Sequence, residues 1–169
     1  MFNCENRMRS KRLLVLVVSV TLLVTVLILH IFGVTGTGTR IGFQTVGKGS
    51  VSGYENSAYY VINDADQWAD IWNKHGKIML PQPSLPDVDF SRSTIIAVFM
   101  GLCLTTGYGI EVKEIVDTGL SVVVKTEKTY PGKGCVVGEM LTYPYHIVKV
   151  DKIGRYILFS TITSAKQCS

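Results

Sequence analysis

The stretch TIIAVFM, Thr94 to Met100, is almost continuously apolar. A strand with one wet face alternates apolar and polar residues, whereas an unbroken run of this length is expected of a central strand covered on both faces. The fold therefore needs a layer on each side of it. Downstream, Tyr108, Ile110 and Val112 alternate with Gly109, Glu111 and Lys113, and Leu120, Val122, Val124 and Thr126 alternate with Ser121, Lys125 and Glu127. Asp117-Thr118-Gly119 joins these two patterns as a hairpin. Tyr145 to Val150 and Tyr156 to Thr161 supply two more strands, joined at Asp151 to Gly154, and Pro144 marks where the first of them begins.

Upstream, Asn63 to Gly76 predicts a helix. Asp64 and Gln67 have capping-box spacing, and Ala65, Trp68, Trp72 and His75 fall on one face with Ile71 beside them. Two tryptophans on one helical stripe are expected to be core anchors. Gly76 is placed for the C-terminal turn and His75 for the last carbonyl groups or the helix dipole. Pro81, Pro83 and Pro86 then forbid helix, so Leu80 to Phe90 is expected to run extended from helix to sheet. From Gly42 to Tyr54 one or two short strands are expected, weakened by Gly47, Gly49 and Gly53. One amphipathic helix beside a small, mostly antiparallel β domain gives an α+β class.

The 169-residue chain is 47% hydrophobic, more than a domain of this size needs, and the excess is local. Leu13 to Val34 carries no charge and follows Arg7, Arg9, Lys11 and Arg12. This pattern predicts an uncleaved signal-anchor: a single transmembrane helix touching membrane lipid, with the N-terminus cytoplasmic and the rest extracytoplasmic. A cleaved signal peptide is the alternative, against which the run is long and Gly33-Val34-Thr35-Gly36 is a poor cleavage site. The expected organisation is a basic tail at 1–12, an anchor at 13–34, a glycine-rich tether at 35–41 and an extracytoplasmic domain at 42–169. The tail holds four of the 17 bases and one of the 13 acids, leaving 13 against 12. Without a basic surplus the domain lacks the main driving term for nucleic-acid binding.

The chemistry-bearing residues are few. LTTGYGIEV, Leu104 to Val112, approaches a potassium-channel filter, but a filter needs a second membrane helix and apolar flanks, and Glu111, Lys113 and Glu114 follow at once. No helix start follows the glycines to make a phosphate loop. Cys103 and Cys135 face an oxidising compartment from loops at one end of the sheet, and a disulfide between them is expected, with Cys168 free or paired between chains and Cys4 a free thiol in the tail. Zinc held by Cys103, Cys135, His75 and His146 lacks ligand spacing, and a nucleophilic pair of Cys135 or Cys103 with His146 needs an unshown proximity. No metal or cofactor is expected, and no catalytic motif is present. Tyr143 and Tyr145 pack on or rim the sheet with His146 turned outward, or else they join Tyr108 and His146 in an exposed patch for a protein partner.

WADIWNKH (68–75), PQPSLPDVDF (81–90), IIAVFMG (95–101), TTGYGIEV (105–112), PGKGC (131–135) and LTYPYHIVKV (141–150), in that order, resemble the PrcB C-terminal domain family over roughly Gly42 to Phe159. Where that family usually has T-G-G-Y, Thr106 takes the place of the first glycine, leaving Gly107 as the residue that needs positive φ. The resemblance implies a non-catalytic accessory domain that binds and stabilises a subtilisin-like protease. An extracytoplasmic enzyme using Cys135 and His146, and a binder of a ligand or envelope component, are the alternatives.

Overall fold

The computed structural model describes residues 3–31 and 38–167, with side chains in the first helix described for residues 11 and 14–27. In chain order the elements are α1 (Asn3–Ile31), β1 (Thr39–Ile41), β2 (Phe43–Gly49), β3 (Ala58–Ile62), α2 (Ala65–Gly76), β4 (Ser93–Phe99), β5 (Gly109–Asp117), β6 (Val122–Pro131), β7 (Tyr145–Asp151) and β8 (Ile157–Lys166). They divide into two compact units, Met1–Thr37 and Gly38–Ser169.

In the first unit, α1 starts inside the basic tail. Its described apolar side chains run from Leu14 to Leu27 and are exposed. Ser19, Thr21 and Thr25 turn their hydroxyls back onto the carbonyls of Leu16, Val18 and Leu22 at 2.8–2.9 Å. Among the described residues no helix is long and apolar enough to cross a membrane, which corrects the expected transmembrane helix at 13–34. Residues 32–37, and with them the first three residues of the expected tether, lie outside the described residues. Its last three residues are not linker: β1 pairs with β5, Thr39 opposite Asp117 and Ile41 opposite Ile115.

The second unit is a β-rich α+β domain with two four-stranded sheets, ordered β1-β5-β6-β8 and β2-β7-β4-β3. Every pairing is antiparallel except β6 with β8. The unbroken apolar run is explained by β4, which lies between β3 and β7 and is completely buried from Thr94 to Phe99. Its alternate residues serve two cores. Ile95, Ala97 and Phe99 pack with Trp68, Ile71 and Trp72 of α2, with Tyr54 and with Ile147. Ile96 and Val98 turn the other way, against Ile110, Val112 and Ile115 of β5, Val122 and Val124 of β6, and Val148 and Val150 of β7. The order of layers is helix, sheet, sheet. Each large apolar side chain buried this way contributes roughly 1.5–3 kcal/mol before chain entropy is charged.

The helix begins at the cap that the sequence marks. Asp64 accepts a hydrogen bond from the Gln67 amide at 2.8 Å. Trp68 and Trp72 are buried as expected, and their indole N–H groups donate to the carbonyls of Pro86 and Pro83 at 3.0 and 3.1 Å. The proline-rich segment thus satisfies the two polar atoms that the anchors carry into the core. Gly76 is not a left-handed terminator: it is helical, and a Cβ there would meet Gln82 Cγ and Pro83 Cδ at 3.0 and 3.1 Å. His75 does not cap the helix either, because its side chain is buried.

β3 has no counterpart in the predicted strands. β8 begins near the predicted place, but it pairs parallel to β6 in the sheet opposite β7, so the link at Asp151 to Gly154 crosses between sheets. Leu120 is 90% exposed in the hairpin turn, and the inward pattern of β6 starts at Val122.

Gly107 has φ +91°, as the sequence requires, and a Cβ there would meet Pro131 Cβ at 3.1 Å. Gly107→Ala is expected to cost about 1–3 kcal/mol. Gly42→Ala, where a Cβ meets nothing within 4 Å, should cost close to nothing. Urea denaturation midpoints compare the two, and equal midpoints would show that no backbone constraint resides at Gly107.

Candidate functional site

The loops β4–β5 (100–108) and β6–β7 (132–144) are stitched together by backbone and hydroxyl bonds. Cys103 and Thr142 exchange both amide hydrogen bonds at 2.8 Å, forming an antiparallel bridge. The Thr142 hydroxyl donates to the Thr105 carbonyl at 2.9 Å, the Thr106 amide to the Gly138 carbonyl at 3.0 Å, and the Gly138 amide to the Thr106 hydroxyl at 2.7 Å. The Tyr143 amide reaches the Ser50 carbonyl at 2.8 Å, which adds the β2–β3 loop.

Alternation across such a pair sends neighbouring side chains to opposite sides. Cys103 and Thr142 are buried beneath the bridge. Leu102 then stands opposite Tyr143 and Leu104 opposite Leu141 on the outer side, with Met140 adjoining. Leu102, Leu104, Met140 and Leu141 are exposed, Leu104 to 71%. The bridge buries a thiol and a hydroxyl while leaving three leucines and a methionine exposed, which makes this surface a candidate for docking. Tyr143 is half-buried at its edge.

The other aromatic candidates separate. Tyr108 packs edge-on against Tyr130 with ring centroids 5.6 Å apart. Tyr145, half-buried on the helix side of β7, packs on the His75 ring at 4.2 Å. Its ring also occupies the space a Cβ would need at Gly47 and Gly49, which is why β2 tolerates two glycines. Since successive residues of β7 face opposite layers, His146 points into the space between the sheets and is 2% exposed. The single patch of Tyr108, Tyr143, Tyr145 and His146 is therefore not assembled, and the outward alternative for His146 is corrected as well. β7 is an inner strand, and both of its faces are covered.

His146 has a structural task. The Val112 amide donates to its Nδ1 at 2.9 Å, so the ring proton sits on Nε2 and is donated to the Thr45 hydroxyl at 3.0 Å. β1 pairs with β5 only at residues 115–117, leaving this side of Val112 without a strand neighbour. The imidazole crosses from the other sheet to satisfy that amide. Burial, with Lys48 nearby, pushes its pKa down, partly offset by Glu111. His75 Nδ1 lies 3.0 Å from the Ser52 hydroxyl, and burial lowers its pKa to about 4.

The two cysteines differ in state, and their expected pairing does not form. Cys103 carries a free, buried thiol whose pKa is raised by that burial, whereas Cys135 is disulfide-bonded. The Cys103–Cys135 bridge is corrected: Cys103 turns inward under the loop bridge, with its sulfur 3.8 Å from the Gly101 carbonyl. Cys168, and the side chain of Cys4, lie outside the described residues. A disulfide at Cys135 and an imidazole with both nitrogens engaged do not make a nucleophilic pair. Among the described residues no group of three or more His, Cys, Asp or Glu is placed to hold a metal. A depression of about 290 Å³ beside the loops is lined by Thr106, Gly107, Pro131, Cys135, Val136, Val137 and Lys166.

Both histidines are held neutral, so their contribution to stability is complete above the unfolded-state pKa of about 6.5 and is lost as pH falls toward the folded values. His75 alone accounts for up to about 3 kcal/mol between pH 6.5 and 4. The ion-paired carboxylates of Glu111, Glu114 and Asp117 are held low and lose their contribution only at more acid pH. Urea midpoints should therefore fall between pH 6.5 and 4.5, with a shallower slope in His75→Gln; an unchanged slope would remove His75 from this account.

Residues 94–151 match the family model described as PrcB C-terminal. The match runs from β4 through β7 and contains both stitched loops; α2 and the proline-rich segment lie outside it. No curated protein and no solved structure matches the chain.

Proposed function

We propose, from the match of residues 94–151 to the PrcB C-terminal family model, that this chain is a non-catalytic accessory subunit that docks a protease through the apolar surface formed by Leu102, Leu104, Met140 and Leu141. The observation that carries the reading is the placement of that surface inside the matched segment. Both loops that present it lie inside the match, and they are held by several hydrogen bonds. A rigid apolar surface with an aromatic edge loses little conformational freedom on binding. Tyr143 at the rim adds a rigid amphipathic contact of the kind enriched at interface hot spots.

The disulfide at Cys135 fits an extracytoplasmic setting, where such bonds persist. The family match supports association with a protease complex, and a subtilisin-like serine protease is the partner we assign. Binding of this sort stabilises the partner by mass action, in proportion to the logarithm of ligand over dissociation constant.

A photo-reactive amino acid at Leu104 tests this in the native cells. The expected adduct contains a serine protease, recognised by its reaction with a fluorophosphonate probe and identified by its peptides. Moving the photo-reactive residue to Leu102 and introducing Leu104→Asp with Met140→Asp should cut that adduct at least tenfold, a loss of about 1.4 kcal/mol or more. The double variant should keep the wild-type circular dichroism spectrum. An adduct without a protease, or one undiminished in the double variant, would overturn the proposal.

A further inference from the structure

The two sheets leave four strand edges, and three of them are protected. β1 is three residues long and carries Arg40. β2 is broken by a bulge between Thr45 and Gly47 and carries Lys48. β3 has five residues. β8 differs from all three: it has ten residues, it is uncharged from Ile157 to Ala165, and it contains no proline. Natural sheets guard a long open edge with lysine, proline or a bulge, because its unpaired amides and carbonyls recruit another strand. Its pairing with β6 runs in unbroken register from Ile157 to Lys166. Among the described residues β6 is the only strand that pairs with β8.

The direction of its backbone groups follows from one bond. The Val122 amide donates to the Tyr156 carbonyl at 2.9 Å, so even-numbered residues of β8 turn toward β6. The Ser160 carbonyl, which accepts from the Thr126 hydroxyl at 3.5 Å, agrees. Phe159, Thr161, Thr163 and Ala165 therefore present their amides and carbonyls to the open edge. Side chains alternate across the sheet plane: Phe159 packs toward the inter-sheet core and Thr161 bonds to Thr126 at 2.7 Å, while Leu158, Ser160 and Ile162 turn to the outer face. Ile162 is 61% exposed.

We infer that β8 is an interface between two copies of this chain, paired antiparallel about Ile162. The strand is complementary to itself in that register. Ile162 meets Ile162, Ser160 meets Ser164, and Lys166, the only charge on the strand, meets Leu158 of the other copy. A parallel arrangement would instead set Lys166 against Lys166. The edge-facing backbone groups fall opposite one another, Thr161 with Thr163 and Phe159 with Ala165, as a ladder requires. The closed twofold pairing joins the two outer sheets into one eight-stranded sheet and uses up both open edges. β8 lies outside the family match and presents none of Leu102, Leu104, Met140 and Leu141, so this interface stands independently of the proposed protease docking.

Cysteine crosslinking of the full-length chain tests it, in a Cys4→Ser background and in a nonionic detergent that covers the exposed apolar side chains of α1. Opposed residues of a non-hydrogen-bonded antiparallel pair have Cα atoms about 4.5 Å apart, within disulfide range. Mild oxidation of Ile162→Cys should give a species of twice the 18.6 kDa chain mass, far above the yield from Leu120→Cys on the exposed hairpin turn. The register predicts that Ser160→Cys with Ser164→Cys crosslinks while neither does alone, and that adding Ile162→Lys to that pair abolishes the product with an unchanged circular dichroism spectrum. Crosslinking at Ile162→Cys no stronger than at Leu120→Cys, or a double-cysteine product that survives Ile162→Lys, would overturn the inference. The same holds if the purified chain never crosslinks through β8 and only a foreign strand does.

Discussion

β4 has no face it can give to water. Every residue from Thr94 to Phe99 is completely buried, and the alternation of the strand means that burying them takes two separate layers. On one side the indole rings of Trp68 and Trp72 meet Ile95, Ala97 and Phe99; on the other, the second sheet meets Ile96 and Val98. The remaining elements are positioned by what those layers need. The proline-rich segment closes over the tryptophans and takes their N–H groups, and Thr94, the polar residue in the run, donates to Asn63 and accepts from the Ile153 amide at 2.7 and 3.1 Å.

The two sheets are also joined by a polar contact. His146 spans the gap to bond the Val112 amide, at a place where β1 is too short to do so. An unsatisfied buried amide costs about 1–3 kcal/mol, so the imidazole is part of the packing and is held neutral by its surroundings. Just beyond the ends of β4 and β7, the loop bridge at Cys103 and Thr142 continues the strand pairing outward. The exposed leucines rest on that extension. The surface assigned to a partner is therefore carried by hydrogen-bonded backbone that extends the strand pairing.

Much of this was legible in the residues. The unbroken run predicted a doubly covered strand, the Asp64 cap and tryptophan stripe predicted α2, and Gly107 was singled out for positive φ; each rests on chemistry local to a few neighbouring residues. Long-range relations were not legible. Ala58 to Ile62 became a strand only because β4 offered it an edge. His146 was expected to turn outward or join an aromatic patch because a strand beginning at Tyr145 gives no sign that both its faces are covered. Cys103 and Cys135 do lie in loops that come together, but direction decided their fate: alternation across the bridge turns the Cys103 thiol inward. The length of the apolar N-terminal run suggested a membrane span, and among the described residues the apolar helix falls short of one.

The proposed docking surface shows the same division. Leu102, Leu104, Met140 and Leu141 are ordinary loop residues in the sequence, 36 to 39 positions apart in two groups, and no periodicity links them. What composition and pattern determined by themselves was the α+β class, the central strand, the helix with its cap and anchors, and the turn at Gly107, because hydrophobic period and backbone sterics act over a few residues. Which sheet each strand joined, which way His146 and Cys103 faced, and which apolar side chains were left in water were decided only by tertiary structure. Those outcomes depend on the pairing register and on which edges remain open, and these are set by contacts between residues far apart in the chain.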